Sequence, residues 1–328
     1  PSVWRHTRQR QSANHGVGGR DRTEEDEERR RQTRYGAGSR RTVVPVAVGL
    51  RLSACRATRY PCGPLHQEPP VRTVHALRYV TPLREGGSLP AVVETDDDGM
   101  VVLKFRGAGQ GPKALIAELI AGEMARVLEL PLPEIVFVEL DREFARTEPD
   151  PEIQELIRAS EGLNLGSDYL PGAINYDPAA MPVDATLASK IVWFDAFTSN
   201  VDRTARNPNL MVWHRRLYLI DHGAAMYFHH DWASAAQACM KPFALIREHV
   251  LLPFAAQIAA VDAALAARLP DAEIERIVAL VPDGWLLGEP AFETPAAARQ
   301  AYVDYFTQRL RLRMAFVEEA VRAHAAYV

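Results

Sequence analysis

The chain has little cysteine, little lysine and no long apolar run. Three cysteines in 328 residues, Cys55, Cys62 and Cys239, are too few for a disulfide framework or a four-cysteine zinc site. Such sparse cysteine fits a reducing cytoplasm, which is the expected compartment. No stretch approaches the roughly eighteen uninterrupted apolar residues that a membrane-spanning helix needs. No repeat of solenoid or propeller length is visible. What remains is ordinary for a globular protein, with 47% apolar and 24% charged residues, and the length suits one large domain or two modest ones.

The net charge of −4 conceals an uneven distribution. Residues 1–72 carry 15 Arg, no Lys and 7 acidic residues, a net +8, which leaves −12 on residues 73–328. An acidic body argues against a broad nucleic-acid surface there. Residues 1–40 have too few apolar side chains to form a core and alternate blocks of charge, such as Glu24 to Glu28 followed by Arg29 to Arg31. Residues 1–72 are therefore expected to be a disordered Arg-rich extension. One reading makes them a basic tail for nucleic acid or acidic lipid. The other, which is the expectation, makes them an extension that is not native to the folded protein.

Order is expected from about Val71. Short β-branched runs at His75 to Val80, Leu89 to Glu94 and Met100 to Phe105 read as strands. Asp96-Asp97-Asp98-Gly99 supplies a hairpin turn between the last two. Pro112 to Leu130 has helical periodicity, with Pro112 in its first turn and Pro131 past its end. Glu134 to Leu140 reads as a strand, Pro151 to Ser160 as a short helix and Leu163 to Leu170 as a strand. From Asp184 the pattern turns helical, at 184–199 and near 253–268, 270–280 and 295–325. Two short strands, Asn209 to Trp213 and Leu217 to Ile220, form a hairpin between the first helix and the rest. Trp193, Phe194 and Phe197 have the spacing of core residues. A β-rich half with one main helix thus precedes a larger helical half, and a cleft between two such halves is a natural ligand site.

The residues with the most chemical content are Asp202, Asn207 five positions on, and Asp221 after an apolar strand. In phosphoryl transfer, an Asp in the first position accepts or orients the proton of the attacking hydroxyl. An Asn and a second Asp hold the divalent cation that neutralises the phosphates. Upstream, Val101-Val102-Leu103-Lys104-Phe105 sets a single lysine in an apolar strand of a chain with four Lys against 34 Arg. An edge-strand lysine can merely guard against aggregation. In a kinase it reaches the α- and β-phosphates of ATP and is held by a glutamate of the next helix. That helix offers Glu118 and Glu123. A helical wheel puts Glu123 among the large apolar residues and Glu118 nearly opposite. Ala121, Gly122 and Ala125, however, give Glu118 a small-residue face that can approach a sheet closely, and Glu118 is the expected partner.

Two glycine loops compete for the phosphates. Gly86-Gly87-Ser88 lies between two strands, where backbone N–H groups can wrap an anion, and is preferred. Gly107-Ala108-Gly109-Gln110-Gly111 follows Lys104 and reads as a connection. His229 and His230 are adjacent and cannot share a face, so they read as a satisfied or exposed pair rather than metal ligands.

Three segments, VVLKFRGAGQGPKALIAELIAGEMARVLELPLPE, FDAFTSNVDRTARNPNLMVW and LYLIDHGAAMYF, resemble the HipA-like kinase family over roughly residues 73–250. The resemblance implies an α+β, protein-kinase-like bilobal fold, with a small lobe over 73–172 and a helical lobe over 173–328. It implies that Lys104 pairs with Glu118, that Asp202 is catalytic, and that Asn207 and Asp221 bind Mg²⁺ or Mn²⁺. The implied activity is transfer of the γ-phosphoryl group of ATP to a hydroxyl, with protein Ser or Thr as the acceptor. Asn-Val-Asp stands where typical protein kinases have His-Arg-Asp, and Asp-His-Gly where they have Asp-Phe-Gly. Asn-x-Asp-Arg also resembles phosphatidylinositol kinases, so a lipid or small-alcohol acceptor is the alternative. A nucleotide-binding pseudokinase scaffold is the alternative of another class, and the intact set of four polar residues speaks against it.

Overall fold

Five strands curl into a closed barrel at the front of the folded region: β1 (Thr73–Pro82), β2 (Ala91–Thr95), β3 (Met100–Lys104), β4 (Ile135–Leu140) and β5 (Gly162–Asp168), in the spatial order β1-β2-β3-β5-β4. The structure is a computed structural model that describes residues 71–83, 89–109 and 111–327. The expectations for residues 1–70 and for Gly86-Gly87-Ser88 fall outside the described residues. β1 and β4 run parallel and close the barrel, with Val74 opposite Val138; the other neighbours are antiparallel. The Asp96 to Gly99 turn joins β2 to β3, with Asp98 in the left-handed region at φ 61° and Glu94 opposite Met100.

Strand alternation sorts the side chains. Val101 and Leu103 of β3 and Val136, Val138 and Leu140 of β4 point into the barrel core. Lys104, next in line after Leu103, faces out of the barrel. Ile135 and Phe137 of β4 also face outward and join a second core shared with the helical half. Gly166 of β5 sits opposite Leu103 and Val136. A Cβ there would lie 2.8 Å from Val138 Cγ2 and 3.2 Å from Val101 Cγ2.

Helix α1 (Pro112–Val127) starts from Gly111, whose φ of 68° suits glycine, with Pro112 at the first helical position. It ends three residues before the expected Leu130. Glu129 takes φ 56°, and Leu130 N–H donates back to Ala125 O at 2.9 Å, a Schellman ending. Every residue from Leu115 to Ala125 is buried, so α1 lies between the barrel and the helical half.

Helix α2 (Pro151–Ala159) covers the connection after β3; a Cβ on Gly107 would lie 2.8 Å from Ala159 Cβ. Helix α3 (Ala185–Thr198) is capped by the Asp184 carboxylate, which accepts from Thr186 and Leu187 N–H. Its aromatic residues are core: Trp193 stacks on Phe197 at 5.4 Å between centroids and meets Phe316 edge-on at 5.5 Å. A three-stranded sheet joins β6 (Ile174–Asn175), which precedes α3, to β7 (Leu210–Trp213) and β8 (Arg216–Leu219), which follow it. His214 and Arg215, both at positive φ, make the two-residue turn of the β7–β8 hairpin.

Two expectations need correction. The helix expected near 253–268 begins only at Ile258, as α4 (Ile258–Ala267), and the stretch from Tyr227 to Phe254 before it is a series of single turns, mostly 3₁₀. Pro242 and Pro253 interrupt any longer helix there. The span 295–325 is two helices, α6 (Pro295–Arg311) and α7 (Met314–Ala325), preceded by α5 (Asp271–Ala279). The break coincides with Arg313, whose Nε donates to both oxygens of Asp262. Among the described residues no helix is long and apolar enough to cross a membrane.

Filling the barrel at Gly166 is expected to overpack it. Gly166→Val should destabilise the fold by about 1–3 kcal/mol, the usual cost of extra volume in a packed core. The unfolding midpoint in urea would show this, and an unchanged midpoint would mean that the interior is looser than these contacts indicate.

Candidate active site

Lys104, Glu118 and Asp221 meet in one cluster. Lys104 Nζ lies 2.7 Å from Glu118 Oε2 and 2.8 Å from Asp221 Oδ1. The same Glu118 Oε2 accepts the backbone N–H of His222 at 2.6 Å. One carboxylate thereby joins β3, α1 and the loop after β8. The Lys104 and Glu118 side chains are 16% and 10% exposed, whereas Asp221 is 48% exposed. The two inner groups are sealed and the outer carboxylate keeps a face toward solvent.

Burial opposes charge on both inner groups, and each reverses it for the other. The carboxylates of Glu118 and Asp221 outweigh burial and hold the Lys104 ammonium above its ordinary pKa. Lys104 and the His222 side chain outweigh burial and hold Glu118 well below the usual carboxylate range. Glu123, the other candidate, lies elsewhere on α1. Its Oε2 pairs with Arg126 at 2.6 Å and lies 4.0 Å from Arg276 of α5.

Asp202 and Asn207 form a second cluster on the loop between α3 and β7. Asn207 Nδ2 donates to Asp202 Oδ2 at 2.7 Å, and Asn209 Nδ2 donates to the same oxygen at 3.1 Å. Asn200 Oδ1 accepts the Asp202 N–H at 3.1 Å. Backbone bonds tie this loop to the one that carries Asp221. Ile220 N–H donates to Asn209 O at 3.1 Å and Val201 N–H to Ala224 O at 3.5 Å. Among the described residues no side-chain hydrogen bond or ion pair joins Asp202 or Asn207 to Lys104, Glu118 or Asp221. A cavity of about 200 Å³ lined by Lys113, Trp232, Trp285, Glu289 and Tyr302 includes none of the five residues.

Several polar groups beneath the site escaped the sequence reading. Asp195 is fully buried, with Arg203 Nε at 2.6 Å and His249 Nε2 at 2.8 Å from its Oδ2. The lone charge in Trp193-Phe194-Asp195-Ala196-Phe197 was the available signal, since a carboxylate inside an aromatic run needs a buried partner. Asn209 and His249 carry no such mark. His229 is buried and its Nδ1 lies 3.1 Å from Tyr302 Oη. Burial lowers its pKa to about 3, so it is neutral at physiological pH. His230 is exposed. Among the described residues no group of three His, Cys, Asp or Glu side chains has metal-binding geometry. The connection after β3 starts out held to neighbouring elements, with Arg106 N–H donating to Asn164 Oδ1 at 2.8 Å and Gly107 N–H to Ser160 Oγ at 3.0 Å.

The depressed Glu118 carboxyl sets a pH dependence. It binds a proton less readily in the folded chain than in the unfolded one. Its stabilisation is therefore full above the ordinary glutamate pKa of about 4.3 and is lost as pH falls through the lower folded value. Glu118→Gln is expected to lower Tm at pH 7 and to flatten the fall in Tm on the acid side. Thermal unfolding between pH 7 and pH 3 would test this, and parallel curves for variant and wild type would contradict it.

No curated protein matches the chain in sequence. Among solved structures, the Helicobacter pylori proinflammatory kinase CtkA aligns at 10% identity and a TM-score of 0.45, over 78% of this chain and 99% of that one. A Golgi casein kinase aligns at 12% identity and a TM-score of 0.37, over 76% of this chain and 72% of that one. The Golgi casein kinase with Mn/ADP bound aligns at 11% identity and a TM-score of 0.34, over 74% and 73%. The HipA-like kinase family model matches residues 78–314, from β1 to the first residue of α7. That match spans most of the folded region and contains both polar clusters: the chain belongs to the HipA-like kinase family, with the protein-kinase-like fold.

Proposed function

We propose that the protein transfers the γ-phosphoryl group of ATP to the hydroxyl of a protein Ser or Thr. The observation that carries this reading is the Lys104 ammonium, 2.7 Å from Glu118 and 2.8 Å from Asp221. A cation held by one buried carboxylate beside a second, half-exposed one is suited to bring polyphosphate and divalent metal together. Lys104 contributes the positive charge for the α- and β-phosphates, and Glu118 sets where that charge rests.

The donor set fits Mg²⁺ or Mn²⁺. Asp221 uses Oδ1 for Lys104, and its other oxygen is not engaged by that contact. Asn207 directs its Nδ2 to Asp202, and its Oδ1 is an oxygen donor of the hard type these cations take. One carboxylate, one amide oxygen and phosphate oxygens make a common magnesium environment, which needs no three-residue protein cage. When bound, the cation supplies charge neutralisation of the phosphates.

Asp202 orients the acceptor hydroxyl and takes its proton as the acceptor oxygen bonds to the γ-phosphorus and the bond to the β-phosphate oxygen breaks. Asn207 and Asn209 both donate to one oxygen of Asp202, which fixes the carboxylate's rotation. Residues 73–172 are assigned to the small lobe and 173–328 to the helical lobe, with the Arg-rich 1–72 outside the catalytic unit. The Gly86-Gly87-Ser88 loop is assigned to the phosphates. The scarcity of cysteine supports a cytoplasmic location.

Asp202→Ala is expected to lower phosphoryl transfer by about 10²–10⁴-fold and to leave nucleotide affinity nearly unchanged. Purified protein incubated with labelled ATP, Mg²⁺ and a cell extract provides the assay. Labelled protein bands support a Ser or Thr acceptor, and labelled lipid would redirect the acceptor assignment. Near-normal turnover by the variant would remove Asp202 from the chemistry.

A further inference from the structure

Beneath the two polar clusters lies a buried ion pair that touches both loops. We propose that Arg203 and its counter-ion Asp195 are positioning residues for phosphoryl transfer, holding Asp202 and Asp221 in mutual register without touching substrate. This rests on the reading of Asp202 and Asp221 given above.

Arg203 is 1% exposed and Asp195 0%. Arg203 Nε donates to Asp195 Oδ2 at 2.6 Å. Its Nη1 donates to two backbone carbonyls, Asn209 O and, at 3.3 Å, Ile220 O. Each carbonyl belongs to a residue next to the chemistry. Asn209 directs its side-chain amide to Asp202 Oδ2, and Ile220 immediately precedes Asp221. One rigid guanidinium therefore relates the two loops. Asp195 also reaches Asp202 by a second route: its Oδ1 accepts from Asn200 Nδ2 at 3.1 Å, and Asn200 Oδ1 accepts the Asp202 N–H.

A third partner extends the reach of this hub. His249 Nδ1 accepts the Leu251 N–H at 3.0 Å, which makes Nε2 the protonated nitrogen, and Nε2 donates to Asp195 Oδ2 at 2.8 Å. Arg203 O accepts the Val250 N–H at 3.1 Å. The stretch that follows Asp221 thus leaves from Ile220 and returns at His249, and both points are fastened to the same ion pair.

Stability alone is a poor reason for this arrangement. Apolar side chains of similar volume often replace a buried ion pair without loss. Arg203 Nη2 has no hydrogen-bond partner, and an unsatisfied buried donor costs about 1–3 kcal/mol. What apolar packing cannot supply is direction. The planar fork of an arginine fixes two carbonyls and a carboxylate at set angles. The pair is also neutral overall, so it orients Asp202 without adding net charge near it.

The test uses the full chain with Arg203→Lys and, separately, Asp195→Asn. Lysine keeps the charge but lacks the fork; asparagine keeps the shape but loses the charge. Neither change touches Asp202, Asn207 or Asp221. The expected result is a kcat lower by about 10²-fold, the scale of a misplacement near 1 Å. KM for ATP and the affinity for a fluorescent ADP analogue without metal should change little. Faster amide hydrogen exchange confined to the 200–209 and 220–224 segments should accompany the loss. A folded variant with wild-type kcat would overturn the proposal. So would activity falling only in proportion to folded protein, or the failure of both variants to fold. Wild-type protein without any phosphoryl transfer would instead overturn the functional reading, and this inference with it. An active wild type with unaffected variants overturns this inference alone.

Discussion

Glu118 is where the two halves of the fold are made to agree. Its Oε2 accepts from the Lys104 ammonium, which belongs to the barrel, and from the His222 N–H, which belongs to the loop after β8. A buried carboxylate is tolerated only when it is paired and hydrogen-bonded, so removing either donor leaves a charge stranded. The position of α1 therefore decides whether Lys104 faces Asp221 at all. Burial of α1 from Leu115 to Ala125 on all sides gives this helix few alternative placements, and Gly122 lets it lie close to Ile135 of β4.

The helical half solves a similar problem with arginines. Arg309 is buried beneath the end of α3, where its Nη2 and Nε donate to Ala196 O at 2.6 Å and Phe197 O at 2.7 Å. These are carbonyls that a helix C-terminus leaves without intrahelical partners, and a cation there also meets the negative end of the helix dipole. The guanidinium lies 5.0 Å from the centre of the Phe316 ring, a cation–π contact in a dry setting. Nη1 reaches Cys239 O at 3.3 Å, so Arg309 also fastens the irregular stretch after Asp221. The loop bearing Asp202 thus leaves α3 from an end that is pinned from below by Arg309 and from the side by Arg203.

Much of this was readable before any coordinates, because the signals were local. Pro112 marked the start of α1, the acidic turn before Gly99 marked the β2–β3 hairpin, and a single lysine among valines drew attention to β3. The choice between Glu118 and Glu123 shows where periodicity weakens. A helical wheel separates an inner from an outer face, but α1 has no outer face along its middle. Both glutamates are buried, one against Lys104 and the other against Arg126 and α5. The small residues near Glu118 were informative because close approach is steric and local. The Asp195–Arg203–His249 hub could not be read this way. Asp195 advertises a buried charge, but 54 positions separate it from His249, and nothing in the sequence between them encodes the meeting. The helix expected from near 253 starts at Ile258, because Pro253 and the single turn Leu252–Phe254 stand where its first residues were placed.

The backbone around the two loops explains why so many buried polar contacts converge there. Ser199, Asn209, Asp221 and Met226 all occupy the left-handed region, with φ between 47° and 60°. A non-glycine residue so placed costs on the order of 1–3 kcal/mol and persists only where its surroundings over-determine it. Asn and Asp tolerate this conformation better than most residues, because a short polar side chain can hydrogen-bond locally. At Asn209 and Asp221 the residue type therefore serves both the turn and the site. Ser199 and Met226 lack that latitude to the same degree, and their segments are bonded to each other: Met226 N–H donates to Thr198 O at 2.8 Å. Arg203 bonds the carbonyls of Asn209 and Ile220, and Arg309 those of Ala196 and Phe197 just before Ser199, so each arginine fastens the chain beside one of these turns. Relaxing Ser199, Asn209 or Asp221 into an ordinary conformation would redirect the chain in the loops that carry Asp202 and Asp221. The buried arginines are the counterpart of that strain, since they bond carbonyls within two residues of Ser199, Asn209 and Asp221.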